Sequence, residues 1–155
     1  MKELAEYRSN LLQRLEETAA SFRDECLKVS DPYAPLNSGG WNVHQIAVHT
    51  RDVDELVYGL RARRTAVEDN PEFPGFDGDL YMAANYNASE PLAEVVDRLA
   101  ENVRGLVDFL RTLPPEAWSR LSHHATLGRD LTLQTWVERD LAHIEEHLGT
   151  IQQPA

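Results

Sequence analysis

With one cysteine, Cys26, the chain cannot close a disulfide within itself, which fits a reducing compartment. Cations are scarce as well: 15 Lys and Arg stand against 26 Asp and Glu, a formal net charge of −11. A nucleic-acid binder needs clustered cations to displace counterions, so neither nucleic acid nor an anionic membrane surface is expected as a partner. Nothing approaches the ~18 consecutive apolar residues of a membrane span. The start, "MKELAEYRSNLLQRLEE", is charged throughout and lacks the apolar centre of a signal peptide. A cytoplasmic protein is expected. Cys-pair zinc spacing, a phosphate-binding glycine loop and an ordered Ser/His/Asp set are all missing too.

What is present is helical periodicity. The 155 residues suit one domain, 1–155, with a single core. Leu4, Leu11, Leu12, Leu15, Ala19, Phe22 and Val29 mark one face of a first helix from about Lys2 to Val29. "SDPYAPLNSGG" stops it, because its prolines and glycines cannot continue a helix. A second helix is expected from about Asn42 to Val67, with Ile46, Val53, Leu56 and Leu60 inward. The stretch 68–91 then reads as a crossover, with a short helical turn around Leu80 to Tyr86. Ser89 is the expected cap of a third helix reaching Thr112, with Pro91 in its first turn. "LPPEAW" allows one short turn, and "SRLSHHATLGRDL" reads as irregular. Thr132 is the expected cap of a fourth helix to about Gln152. Four amphipathic helices without a strand imply an all-α four-helix bundle. The short link after the first helix and the long one after the second favour a crossover between helices 2 and 3.

The six histidines separate by angle at 100° per residue. On the second helix His49 falls among the apolar positions Ile46, Val53, Leu56 and Leu60, so it faces the core. On the fourth, with Ile144 at zero, His147 lies at about −60°, His143 at about −100° and Asp140 at about −40°. That places two imidazoles and a carboxylate on one flank of the apolar stripe, beside Trp136. His44 points away from His49 and is expected at the surface, and His123 and His124 are expected in a loop. Two meanings of "HIEEH" stay open on this geometry: two metal ligands completed by His49, or two solvated residues. In the first, three neutral imidazoles leave a coordination position free, and Asp140 or Asp52 can accept the second N–H of a ligating ring. Trp41, Trp136 and Tyr58 are candidates for lining the mouth, although packing explains them more simply. Cys26 reads as a packed thiol, and "RARR" at 61–64 as helix-terminal cations suited to the helix dipole, with contact to an anionic substrate as the lesser alternative.

"WNVHQIAVHTRDVDEL" and "LTLQTWVERDLAHIEEHLGTI", with the order of the helices between them, resemble the DinB-like (DNA-damage-inducible) four-helix proteins over nearly the whole chain. Bacterial thiol-dependent S-transferases and mycothiol-dependent maleylpyruvate isomerases share that superfamily. The resemblance implies a divalent metal, zinc or nickel first, held by His49, His143 and His147, and it implies a homodimer. It further implies a small-molecule substrate and, in several members, a low-molecular-weight thiol as cosubstrate that the metal deprotonates. Other members are called hydrolases, in which the metal would activate water. A thiol S-transferase or hydrolase is therefore expected. The alternative is a non-catalytic metal- or ligand-binding stress-response protein, since a fold carries many functions.

Overall fold

A computed structural model describes residues 2–153. The first helix, α1 (Lys2–Lys28), buries Leu11, Leu12, Leu15, Ala19, Phe22 and Cys26, the stripe that the spacing predicts. Asn42 opens α2 (Val43–Val53) with a capping box: its side chain accepts from the Gln45 backbone amide, and the Gln45 side chain accepts from the Asn42 backbone amide. A π-helical turn (Asp54–Tyr58) joins α2 without a break to α3 (Gly59–Val67). The crossover contains α4 (Gly78–Asn85), capped by Asp77. The amphipathic α5 (Leu92–Arg111) and α6 (Leu133–Ile151) complete the set, and Thr132 caps α6 by accepting from the Thr135 amide.

Ser89 does not cap α5. Pro91 occupies that position, and the Ser89 amide donates to the Asn87 side chain in a turn two residues upstream. Pro91 fixes its own φ and lacks the N–H that would need a partner, so the start is set by backbone rather than by a hydroxyl.

The π turn corrects the expected face of the second helix. One wide turn inserts an extra residue, so every side chain beyond it lags by about 100°. Leu60 moves from about +20° relative to His49 to about −80°, and Leu56 turns outward with it. Both are exposed, at 43% and 41%. Val57, Arg61, Ala62 and Ala66 take the inward positions instead.

α1 packs chiefly on α5 and α6, and the α2–α3 rod packs on the same two helices. The rod and α1 thus stand at opposite corners of a four-helix bundle, and the chain crosses over along 68–91 to reach α5. The core between them is filled by Leu15, Phe22, Leu99, Leu106, Leu133 and Ile144, each fully buried. Burial of one such side chain stabilises the fold by about 1.5–3 kcal/mol.

The bundle carries a small sheet that hydropathy did not announce. β1 (Glu72–Phe73) runs parallel to β2 (Leu121–His124), and β2 is antiparallel to β3 (Gly128–Thr132). Along β2 the inward residues are Ser122 and His124, while Leu121 faces out. The alternation is inverted in polarity, which is why "SRLSHHATLGRDL" reads as irregular. Ser122 is satisfied inside: it accepts from the Trp136 indole at 2.7 Å and donates to the Leu131 carbonyl at 2.8 Å. No helix among the described residues is long and apolar enough to cross a membrane.

Candidate metal centre

His49 projects from α2, and His143 and His147 from successive turns of α6. Their Nε2 atoms converge, 3.1 Å from His49 to His143 and 3.0 Å from His143 to His147. Each ring nitrogen has one in-plane position, filled by either a proton or a lone pair. His143 Nε2 therefore cannot donate to one neighbour while accepting from the other, and a cation between the rings resolves the crowding. Nitrogens around a tetrahedral zinc with bonds of about 2.0–2.1 Å stand about 3.3–3.4 Å apart, so the rings need open only slightly. The donor set fits a divalent ion.

Burial makes the rings poor bases. It pushes His49 down to about 4, helped by nearby His147, and His143 down to about 3, helped by both partners. Burial also lowers His147, against the pull of Glu146. Neutral imidazole, the ligand form, is the state at pH 7. Two neighbours hold His49 in place. The Trp41 ring lies 4.7 Å from it, and Gly78 approaches so closely that a Cβ there would meet His49 Cε1 at 3.0 Å. The trio opens on a cleft of about 700 Å3 walled by Trp41, Phe76, Asp77 and Glu146.

The carboxylates weighed as ring orienters lie close by in sequence but have other neighbours. Asp52 pairs with Arg51 at 2.9 Å. Asp140 is fully buried opposite Asp54 of the π turn. Burial raises both of these carboxyls, Asp54 to about 6, and Asp54 raises Asp140 further. No hydrogen bond of ordinary geometry joins them: Asp54 Oδ1 and both Asp140 oxygens lack a partner, as does the buried Nδ1 of His143.

His44 is not at the surface. It is fully buried, with Nδ1 2.6 Å from the Tyr86 hydroxyl, Nε2 2.7 Å from the Glu90 carbonyl and Tyr33 stacked on its ring. Angles around one helix reveal only that helix's own stripe, and here the crossover covers the opposite side. His123 and His124 belong to β2 rather than to a loop; His123 turns toward Glu72 at 3.9 Å, and His124 turns inward. Trp136 is a core residue, while Trp41 and Tyr58 stand beside the imidazoles, Tyr58 at 5.6 Å from the His143 ring. Cys26 is fully buried and its thiol is pushed up to about 12, an inert group.

Arg61 is marked in the sequence only as part of the basic patch 61–64, and nothing there places it beside the histidines. In a regular helix it lies about 120° from His49; the extra residue of the π turn brings it to about 20°, in line with the trio. A glycine at the turn's exit, Gly59, is the one local signal: its amide donates to the Asp54 carbonyl, and a Cβ would come within 2.6 Å of that oxygen.

A model of the DinB superfamily matches residues 3–151. Among solved structures, YfiT from Bacillus subtilis, described as "a probable metal-dependent hydrolase with an unusual four-helix bundle topology", superposes with a TM-score of 0.84. The two share 22% identity over 94% of this chain and 84% of that one, a likeness of fold. No match was found among curated proteins.

Proposed function

The chain belongs to the DinB superfamily, and on that premise we propose that it is a metal-dependent enzyme acting on a small molecule, with His49, His143 and His147 as the ligands. The observation that carries this reading is the convergence of three neutral Nε2 atoms at one point, within 4.8 Å of one another, at the base of an open cleft. A divalent ion held there, zinc or nickel, supplies Lewis acidity that lowers the pKa of a thiol or water in the remaining coordination position.

Thiol transfer is the preferred reaction, with a low-molecular-weight thiol as cosubstrate: the sulfur bonds to an electrophilic carbon and the leaving group departs with its electron pair. Hydrolysis of the same class of substrate is the neighbouring outcome. The chain's own part is to keep three imidazoles unprotonated, to aim them through Trp41 and Gly78, and to wall the cleft with Trp41 and Phe76. Asp140 is the better placed of the two acidic candidates to orient a ligand. Its oxygens and His143 Nδ1 are both buried and partnerless, three residues apart on one helix, whereas Arg51 engages Asp52. The homodimer and the cytoplasmic setting belong to the same proposal.

Zinc and nickel titrations by calorimetry, beside the His143→Ala/His147→Ala variant, test the ligands. One ion per chain for the wild type and none for the variant is the expected result. Thiol consumption with a model electrophile by the loaded enzyme then tests the reaction. An enzyme that binds metal yet consumes neither thiol nor hydrolysable ester would be a metal-binding stress-response module instead.

A further inference from the structure

Beside the imidazoles lies a second, surface-open cavity of about 400 Å3 that shares His49, Gly75, Phe76, Gly78 and His143 with the cleft. Its chemistry differs from that of the cleft. Asp77, Asp79 and Glu146 line the open side of the trio. The second cavity has no carboxylate in its wall and two guanidinium groups, the buried Arg61 from α3 and the exposed Arg139 from α6. Neither arginine has an acidic partner within ion-pair distance among the described residues. In a chain of net charge −11 that is a local exception.

Arg61 is only 7% exposed. Removing a cation from water without a counter-charge is costly, and such groups are usually paired. The protein provides one hydrogen bond, from Arg61 Nη2 to the Pro74 carbonyl at 2.9 Å. It also fixes the guanidinium plane against Trp136, 4.9 Å from the ring centre, and Phe73 at 5.8 Å. Among the described residues no second hydrogen bond from this guanidinium is seen. Beside it His124 accepts at Nδ1 from the Thr126 and Leu127 amides, both at 3.1 Å, which leaves the proton on Nε2. Burial, then Arg61 and Arg139, make that ring harder to protonate. The charged groups of the cavity wall are cations, and Pro74 occupies only one of the Arg61 donors.

We propose that this second cavity is a carboxylate subsite: Arg61, through the guanidinium N–H groups that the Pro74 carbonyl leaves free, and Arg139 pair the carboxylate of a small organic acid, and Val53, Val57 and Phe76 enclose its carbon chain. A planar carboxylate matches the two-point edge of one guanidinium. A carboxylate offsets the charge of the buried Arg61, while the exposed Arg139 keeps its solvent and adds a second, screened attraction. The volume suits a small molecule. That the acid's reactive end then reaches His49 and His143 rests on the metal-dependent reading above; anion binding does not.

The test is a titration of the full chain, with and without zinc, using butyrate as probe, its uncharged isostere butyramide as control and inorganic phosphate as competitor class, followed by NMR shifts of the Arg Nε–Hε and backbone amide signals. Saturable millimolar binding of butyrate but not butyramide is expected, in both metal states. Arg61→Lys, which keeps the charge and loses the fork, should weaken it about tenfold or more. Arg139→Ala, an exposed position, gives an independent reading that does not depend on the folding of the Arg61 variant, and should weaken binding several-fold. His147→Ala, outside this cavity, should abolish zinc binding and leave butyrate binding in place, a pattern that separates the two readings. Equal binding of butyramide, binding of phosphate alone, or butyrate affinity unchanged in both arginine variants overturns the proposal.

Discussion

Gly78 and the three imidazoles carry the residue-scale argument. A methyl group at position 78 would press on His49 Cε1 at 3.0 Å, against backbone that α4 holds in place. Gly78→Ala should therefore leave the fold intact but turn the His49 ring, and lower zinc affinity about tenfold, as loss of a ligand's support does. Calorimetry on the two proteins decides it; equal affinities would mean that the ring is held by Trp41 alone. The imidazoles also set an acid limit. Their folded pKa values are depressed, to about 4 for His49 and about 3 for His143. As pH falls below about 6.5 the unfolded chain takes up protons that the native rings refuse, so stability drops with pH. Metal-free wild type should lose melting temperature between pH 7 and pH 5 more steeply than His143→Ala. Parallel slopes would argue that the rings are not buried in solution. These histidines were legible in the sequence because four-residue spacing and helical phase are local properties. Gly78 was not, since the contact that explains it spans 29 positions.

At the scale of elements, the π turn decides most. It moves Leu56 and Leu60 out and Val57 and Arg61 in, so the inner wall of the site depends on one extra residue in one turn. Gly59 closes that turn. Gly→Ala inside an ordinary helix stabilises by roughly 0.5–1 kcal/mol, but here the added Cβ would stand 2.6 Å from the Asp54 carbonyl. Gly59→Ala should destabilise by about 1–3 kcal/mol, the usual range for a forced steric shift, read as a lower midpoint in urea. A stabilised variant would show that the wide turn is optional. The helices themselves were legible from their apolar spacing, and the Thr132 cap from its position. The β2–β3 hairpin was not. Its inward side chains, Ser122 and His124, are polar and are satisfied by Trp136, Leu131, Thr126 and Leu127.

For the whole molecule, the seam between the α2–α3 rod and α6 carries both the imidazole trio and, deeper, the Asp54–Asp140 pair. The two carboxyls have raised pKa values, Asp54 near 6. A carboxyl raised in this way favours the folded state when protonated, so its contribution is present below about pH 4 and is lost as pH climbs through about 6. Asp140→Asn removes the like charge and offers Asp54 a donor. In metal-free protein it should gain on the order of 1–3 kcal/mol at pH 8 and almost nothing at pH 4. A gain that is the same at both pH values would point to packing instead. Between about pH 4 and 6.5 the histidines' contribution rises with pH while the carboxyls' contribution falls, so in the metal-free bundle the two partly offset each other. A divalent ion bound only by the native state raises the melting temperature further, in proportion to the logarithm of its free concentration.

The sequence alone determined the helices, their apolar faces except beyond the π turn, the crossover and the candidate trio, because each follows from spacing within a few turns or from the lengths of the links. Tertiary structure decided the rest. Whether a turn widens, whether His44 is covered, and whether a polar strand lies inward depend on partners tens of residues away. The same is true of Arg61. Its charge is visible in "RARR", but its place beside the imidazoles exists only after the π turn has rotated the rod and the sheet has closed over it.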